Sequence, residues 1–215
     1  MRFRSHLKIV QVTNNMKKEY IKTIYKLWAL IYDSALDKLF NFDRRKAVAL
    51  LQLKSGEKVL EFGVGTGLNL RYYPHYVKVY GVDISKEMLA KAFAKKEKLQ
   101  NKNIHLSLID SEQLNFTDNF FDAAIATYVL RVAVSPKKCI QEIERVTKPN
   151  ARIVFVDTFK GRFSFLLNPF TKILGFGRDL DLNWLLKDTK IKIVKSIRIK
   201  RATNTRVVVC RNLKN

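Results

Sequence analysis

"VLEFGVGTGLNL", residues Val59–Leu70, sets three glycines within five residues directly behind an apolar run. A loop built on Gly63, Gly65 and Gly67 can come closer to a ligand than one carrying side chains, because glycine lacks Cβ and tolerates positive φ. A triphosphate-binding loop would continue with Lys and Ser or Thr, whereas Leu68 and Asn69 follow Gly67 here. A dinucleotide fingerprint would need glycine at position 68, which is Leu68; the spacing is G-x-G-x-G. Glu61, two residues before the first glycine, would repel a pyrophosphate and suits a ligand that carries a cation. The loop reads as a cradle for a positively charged nucleoside.

Two further strand ends supply acids. Val77 to Val82 alternates and branches like a buried strand, and Asp83 closes it 20 positions after Gly63, where the second strand of a βαβ unit delivers a carboxylate to ribose hydroxyls. Asp110 closes the short apolar run "IHLSLID" and is followed by Ser111 and Glu112. Ligands of open α/β sheets bind at the carboxyl ends of strands, so Glu61, Asp83 and Asp110 are expected at one site.

The ordered set E-x-G-x-G-x-G, G-V-D-I-S-x-x-M-L, D-S-E-x-L-x-F-x-D-x-x-F-D and E-I-x-R-V-x-K-P, spread over roughly residues 55 to 160, resembles the class I S-adenosylmethionine-dependent methyltransferases. The resemblance implies that Glu61 and the Gly63, Gly65 and Gly67 backbone hold the methionine part of S-adenosylmethionine, and that Asp83 takes the ribose hydroxyls. It further implies Ile84 and Met88 flanking the adenine, Asp110 and nearby Ser111 at its exocyclic amine, and Thr127 presenting backbone near the methionyl end. One departure is visible: that family usually closes its last motif Pro-Gly-Gly, and this chain reads "KPNARIVFV". Asn150 tolerates the left-handed region and can still make the turn.

With 215 residues, 47% of them apolar, the chain is read as a single domain, residues 1–215, without repeats or a Gly/Ser/Pro linker. Cys139 and Cys210 are too few for a disulfide framework and fit a reducing cytoplasm. The formal net charge is +22. It concentrates at the ends: ten Lys/Arg against Asp188 alone between Lys187 and Lys214, and thirteen Lys/Arg against five acids in residues 1–60. Such a field attracts polyanions, an anionic leaflet or nucleic acid, though a Lys-rich surface also arises from composition alone or adaptation to heat.

No run of 18 apolar residues suggests a transmembrane helix, and the first residues lack the apolar core of a signal peptide, so any membrane contact is expected to be peripheral. Two segments could make it. The basic N-terminal region, residues 1–50, places Tyr20, Ile21, Ile24, Leu27, Trp28 and Ile31 at helical spacing with lysines on the other side. The stretch 159–180, "FKGRFSFLLNPFTKILGFGRDL", is too apolar for an ordinary loop and reads as a lid, a membrane-dipping patch or buried helices.

Alternating patterns predict strand 58–62, helix 67–74, strand 77–82, helix 86–98, strands 103–109 and 121–127, helix 136–147, strand 151–157, a short helix near 181–187, and strands 191–200 and 205–211. This is an α/β chain: a doubly wound, Rossmann-like seven-stranded sheet, mostly parallel, with an antiparallel C-terminal hairpin.

The acceptor is narrowed by the N-terminal stretch. Y-x-x-W-A-x-x-Y-D, an apolar-Phe pair and Arg-Arg, together with E-F-G-V-G-T-G, resemble the bacterial phosphatidylethanolamine N-methyltransferases. By that resemblance Tyr25 and Tyr32 close over cofactor and headgroup and Tyr128 stands on the substrate side, aromatic faces attracting methylated ammonium by about 0.5 to 2 kcal/mol each. No metal is expected, since His6, His75 and His105 are scattered without partners at ligand spacing. The expected setting is the cytoplasm, at the inner face of the membrane, with phospholipid as substrate. A quinone C-methyltransferase is the alternative. An RNA methyltransferase is a weaker one, because "ATYVL" stands where a base-flipping N-P-P-F motif would be, and a protein that only binds lipid or nucleic acid would leave the three acids unexplained.

Overall fold

The computed structural model describes residues 44–110, 112–159, 180–200 and 204–215. Seven strands form one sheet: β1 (Lys58–Phe62), β2 (Lys78–Asp83), β3 (Ile104–Leu108), β4 (Phe121–Thr127), β5 (Thr147–Thr158), β6 (Ile191–Lys200) and β7 (Thr205–Asn212), in the order β3-β2-β1-β4-β5-β7-β6. The first five run parallel; β7 is antiparallel to β5 and β6 antiparallel to β7. Chain progression steps outward from β1 to β3 and then restarts on the other side at β4. The crevice at the carboxyl ends of β1 and β4 is therefore the place where a ligand fits such a sheet.

Helices cover both faces of the sheet: residues 44–50 (α1), Lys86–Leu99 (α2), Pro136–Val146 (α3) and Leu182–Leu186 (α4). This is why β4, "FDAAIAT", is apolar on both sides rather than alternating. Leu60, Phe62 and Phe155 pack with Ile140 and Ile143 of α3 and Leu185 of α4. Val59, Val79, Val154 and Val207 pack on the other face with Ala47 and Val48 of α1 and Leu89 and Ala92 of α2. Each such side chain, buried fully, contributes roughly 1.5–3 kcal/mol. Helix α3 buries Cys139, Ile140, Ile143 and Val146, one stripe at helical spacing, so Cys139 acts as a small core hydrophobe. Helix α2 starts at Ser85, whose hydroxyl accepts from Met88 N at 3.2 Å, and ends at Gln100 with φ of 52°.

Two expectations need correction. The predicted helix 67–74 is turns and a single 3₁₀ turn, Leu70–Tyr72. Gly67 has a φ of 79°, which cannot open a right-handed helix, and Pro74 forces Tyr73 to extended backbone, so too few residues remain between them. Strand β5 also begins earlier than residue 151. Thr147 pairs with Phe121, the register then slips, and Arg152 pairs with Ala123. Asn150 takes a φ of 61° inside this irregularity, the left-handed turn expected of it. The C-terminal hairpin is present as expected. Of the basic region 1–50 only residues 44–50 are described, and of the stretch 159–180 only Phe159 and Leu180, which form a parallel bridge.

A Cβ on Gly67 would lie 2.7 Å from Leu70 Cδ1 and 3.0 Å from the Ala92 backbone, whereas one on Gly65 would meet nothing within 4 Å. Gly67→Ala is therefore expected to cost about 2–4 kcal/mol in urea unfolding of the ligand-free protein and Gly65→Ala only about 1 kcal/mol, from backbone conformation. Equal losses would show that packing on α2 is not what constrains position 67.

Candidate functional site

At the crevice between β1 and β4 lies a cleft with about 940 Å³ of free space, partly open to solvent. One wall is the glycine loop with the β2–α2 connection: Gly63, Gly65, Asp83, Ile84 and Met88. The other follows β4: Thr127, Tyr128, then the apolar run Val129, Val132, Ala133 and Val134. Asp110 and Glu112 close one end, and Arg44 reaches in from α1. Of the residues singled out in the sequence, eight line the cleft together: Gly63, Gly65, Asp83, Ile84, Met88, Asp110, Thr127 and Tyr128. Tyr25, Tyr32 and Ser111 lie outside the described residues. His75 is in an exposed loop away from the cleft.

The three glycines divide the work. The Gly63 and Val64 amides both donate to the Val82 carbonyl at 2.9 Å, turning the chain at the tip of β1. A Cβ on Gly63 would lie 2.4 Å from Val129 Cγ2, so this glycine lets the two walls meet. Gly65 faces open space and is the point at which backbone can touch a ligand. Gly67 packs against α2 and does not line the cleft.

Asp83 is a clamp as well as a wall. Its Oδ2 accepts from the Gly65 amide at 2.8 Å and its Oδ1 from the Ser85 amide at 2.9 Å, which ties the glycine loop to the start of α2. Burial raises its pKa against the pull of these N–H groups. Each oxygen keeps a second lone pair for a diol. Asp110 Oδ1 accepts from the Glu112 amide at 3.0 Å, and Glu112 Oε1 from the Ser135 amide at 3.1 Å, so both acids are set by backbone.

Glu61 sits behind the loop rather than in the wall. It points to the face covered by α1, 2% exposed, beside Tyr73, Asn69 and Arg44. Burial pushes its carboxyl up to about 7, although Tyr73, Arg44 and Asn69 each pull the other way. Among the described residues its Oε2 has no hydrogen-bond partner. A buried carboxylate oxygen left without a partner is costly unless a donor arrives with a ligand.

Arg44 is the residue that sequence reading missed, since it appeared there only as half of an Arg-Arg pair. It is 6% exposed; one Nη donates to Asn69 Oδ1 at 3.2 Å and to Thr127 Oγ1 at 3.0 Å, while Asn69 Nδ2 also donates to Thr127 Oγ1 at 3.1 Å. Its guanidinium carbon stands 5.4 Å from the centroid of the Tyr128 ring, and among the described residues its Nε has no partner. Only the fold brings residues 44, 69 and 127 together. Tyr128 itself has a φ of 58°, an uncommon conformation for an aromatic residue, held by its amide bond to the Val156 carbonyl at 2.7 Å. The guanidinium over its ring competes with any ammonium for that face.

In and behind the cleft stand, among the described residues, a buried Glu61 oxygen and an Arg44 Nε without hydrogen-bond partners, an open backbone position at Gly65 and the Asp83 carboxylate. That donor set fits S-adenosylmethionine, which carries an ammonium, a carboxylate, a sulfonium and a ribose diol. A raised acid favours the protonated carboxyl in the folded state, so its contribution to stability is complete below about 4.5 and lost as pH rises through about 7. Glu61→Gln should therefore gain stability relative to wild type between pH 5 and 8, by up to roughly 3 kcal/mol without ligand, while weakening S-adenosylmethionine binding at least tenfold in calorimetry. A stability difference that does not change with pH would sink this account of Glu61.

Comparison with known proteins agrees. Residues 60–155 match the family model described as "Methyltransferase domain". A phosphatidylethanolamine N-methyltransferase of Cereibacter sphaeroides is 33% identical over 84% of this chain and 91% of its own length. A demethylmenaquinone methyltransferase of Staphylococcus saprophyticus is 29% identical over 82% of each chain. The crystal structure of a SAM-dependent methyltransferase from Aquifex aeolicus superposes with a TM-score of 0.67, at 23% identity, over 86% of this chain and 97% of that one. With the sheet order, the glycine loop and these likenesses in place, the chain belongs to the class I methyltransferases and uses S-adenosylmethionine as its cofactor.

Proposed function

We propose that the chain N-methylates the amine headgroup of phosphatidylethanolamine, stepwise toward phosphatidylcholine, at the surface of an anionic membrane. The observation that carries this reading is the likeness to the phosphatidylethanolamine enzyme along nearly all of that protein. The apolar wall Val129, Val132, Ala133 and Val134 and the positive charge at the chain ends support a lipid acceptor. Among the described residues no helix is long and apolar enough to cross a membrane, so contact with a bilayer would be made from its surface. The demethylmenaquinone relatives favour the second reading, a quinone acceptor methylated on carbon.

In this reading Glu61 and Arg44 hold the ammonium and carboxylate of the cofactor's methionine part, and the Gly65 backbone runs alongside it. Asp83 takes the ribose hydroxyls, Ile84 and Met88 enclose the adenine, and Asp110 with Ser111 meets its amine. The bound cofactor supplies a sulfonium methyl for in-line transfer. What the chain adds is alignment and exclusion of water. Thr127 and Tyr128 form the border between the cofactor end and the apolar wall, and Tyr25 and Tyr32 would close over the acceptor. An amine bound in its neutral form can release its proton to water after transfer, so no general base is required of the protein.

Methyl transfer from labelled S-adenosylmethionine, offered in parallel to phosphatidylethanolamine vesicles containing an anionic lipid, to a demethylated quinone and to bulk RNA, is expected to label the phospholipid. Label in the quinone or the RNA instead would overturn the acceptor and leave the cofactor site standing. Asp83→Ala is expected to abolish labelling of any acceptor and to reduce cofactor affinity at least tenfold; unchanged affinity would remove Asp83 from the site.

A further inference from the structure

A second groove lies on the α3 face of the sheet, where β5 ends and β7 begins, with about 730 Å³ of free space. Its floor is apolar, from Phe159, Leu180, Leu182 and Val208, and Arg206 stands in its wall. Across the β6–β7 ladder Arg206 pairs directly with Arg198, two residues along, and so on the same face, from the Ser196–Val208 pair that also lines the groove. Two arginines directly opposite on one face of an antiparallel pair repel each other, a cost that a bound anion between them would cancel. Among the described residues no carboxylate forms an ion pair with either. The one acid in the groove wall, Asp181, uses Oδ1 to cap α4 at the Trp184 amide, at 3.1 Å.

Arg206 is held in place, while Arg198 opposite it is exposed. Asn204, with a φ of 49°, accepts from Arg206 Nε through its Oδ1 at 3.1 Å and donates through Nδ2 to the Phe159 carbonyl at 3.1 Å. Nε is thereby committed, and among the described residues no carboxylate meets the outer guanidinium edge of Arg206. Ile193, 41% exposed, stands in the groove wall; Trp184, 58% exposed, follows the groove residues Leu182 and Asn183 on α4, and Lys192 and Lys195 lie on the other face of the same edge strand, paired with Arg211 and Val209. Lysines along an exposed edge also discourage strand pairing between molecules. That accounts for Lys192 and Lys195 but not for an arginine pair in register beside an apolar floor.

We propose that this groove seats the phosphodiester of an anionic phospholipid between Arg198 and Arg206, with the start of its acyl chains on the floor, and so docks the enzyme on the leaflet. Two guanidiniums present the forked donors that phosphate oxygens accept. Trp184 and the aliphatic residues suit the depth of the headgroups. The assignment rests on the lipid reading of the enzyme for the source of the phosphate, and the groove is separate from the cofactor cleft, with which it shares no lining residue.

The test uses the full chain in sedimentation with phosphatidylcholine vesicles, with and without phosphatidylglycerol. Arg198→Gln/Arg206→Gln is compared with Lys98→Gln/Lys102→Gln, which removes the same charge near the β3 edge. The arginine variant is expected to weaken partition to phosphatidylglycerol vesicles at least tenfold, at about 1 kcal/mol per basic residue, and the lysine variant less than about threefold; melting temperatures verify that both fold. Equal losses in the two variants, or a wild type that ignores anionic vesicles, would overturn the proposal, as would loss of RNA binding in the arginine variant with vesicle binding unchanged. Transfer to detergent-dispersed phosphatidylethanolamine should survive the arginine change. If no phospholipid is labelled yet the tenfold difference in partition holds, the acceptor assignment falls and the docking site stands.

Discussion

The carboxylate of Asp83 holds the cofactor-side wall together. Accepting from Gly65 on one oxygen and from Ser85 on the other, it fastens the glycine loop to the beginning of α2, and that wall of the cleft inherits its position from the fastening. Gly67 packs the loop against α2 from below and Gly63 lets Val129 close from across the crevice. Burial makes this arrangement costly for a charged group, so the N–H donors are a condition of Asp83 being there and not an ornament of it.

A second constraint lies under the loop. Glu61, Tyr73, Asn69, Thr127 and Arg44 bring a carboxylate, a phenol, an amide, a hydroxyl and a guanidinium into one small volume with almost no water. Arg44 binds α1 to the end of β4, so the helix preceding the sheet is coupled to the wall that faces the acceptor. Among the described residues a Glu61 oxygen and the Arg44 Nε have no partner, which suits a ligand bearing the opposite charges.

Much of this was legible in the sequence, for identifiable reasons. Strand-end acids and tightly spaced glycines act over a few residues, so Glu61, Asp83, Asp110 and the loop could be read one by one. The helix expected at 67–74 was misread because apolar spacing was weighed above Gly67 and Pro74, whose backbone preferences are stronger over so short a span. Gly67 was taken for a ligand contact because the motif does not distinguish a glycine that touches cofactor from one that touches a helix. The place of Glu61 behind the loop depends on which face of β1 is covered by α1.

The sequence by itself determined the class of the sheet, the order of its parallel strands with their helices, and the cationic nucleoside that the glycine loop and strand-end acids await, because these follow from local backbone preference and period. Only the tertiary structure decided that Arg44 enters the cleft, that Glu61 is buried with a raised pKa, and that Arg198 and Arg206 stand opposite each other beside an apolar floor. Those features join residues far apart in the chain, and their energies come from burial and strand register, which no local pattern contains.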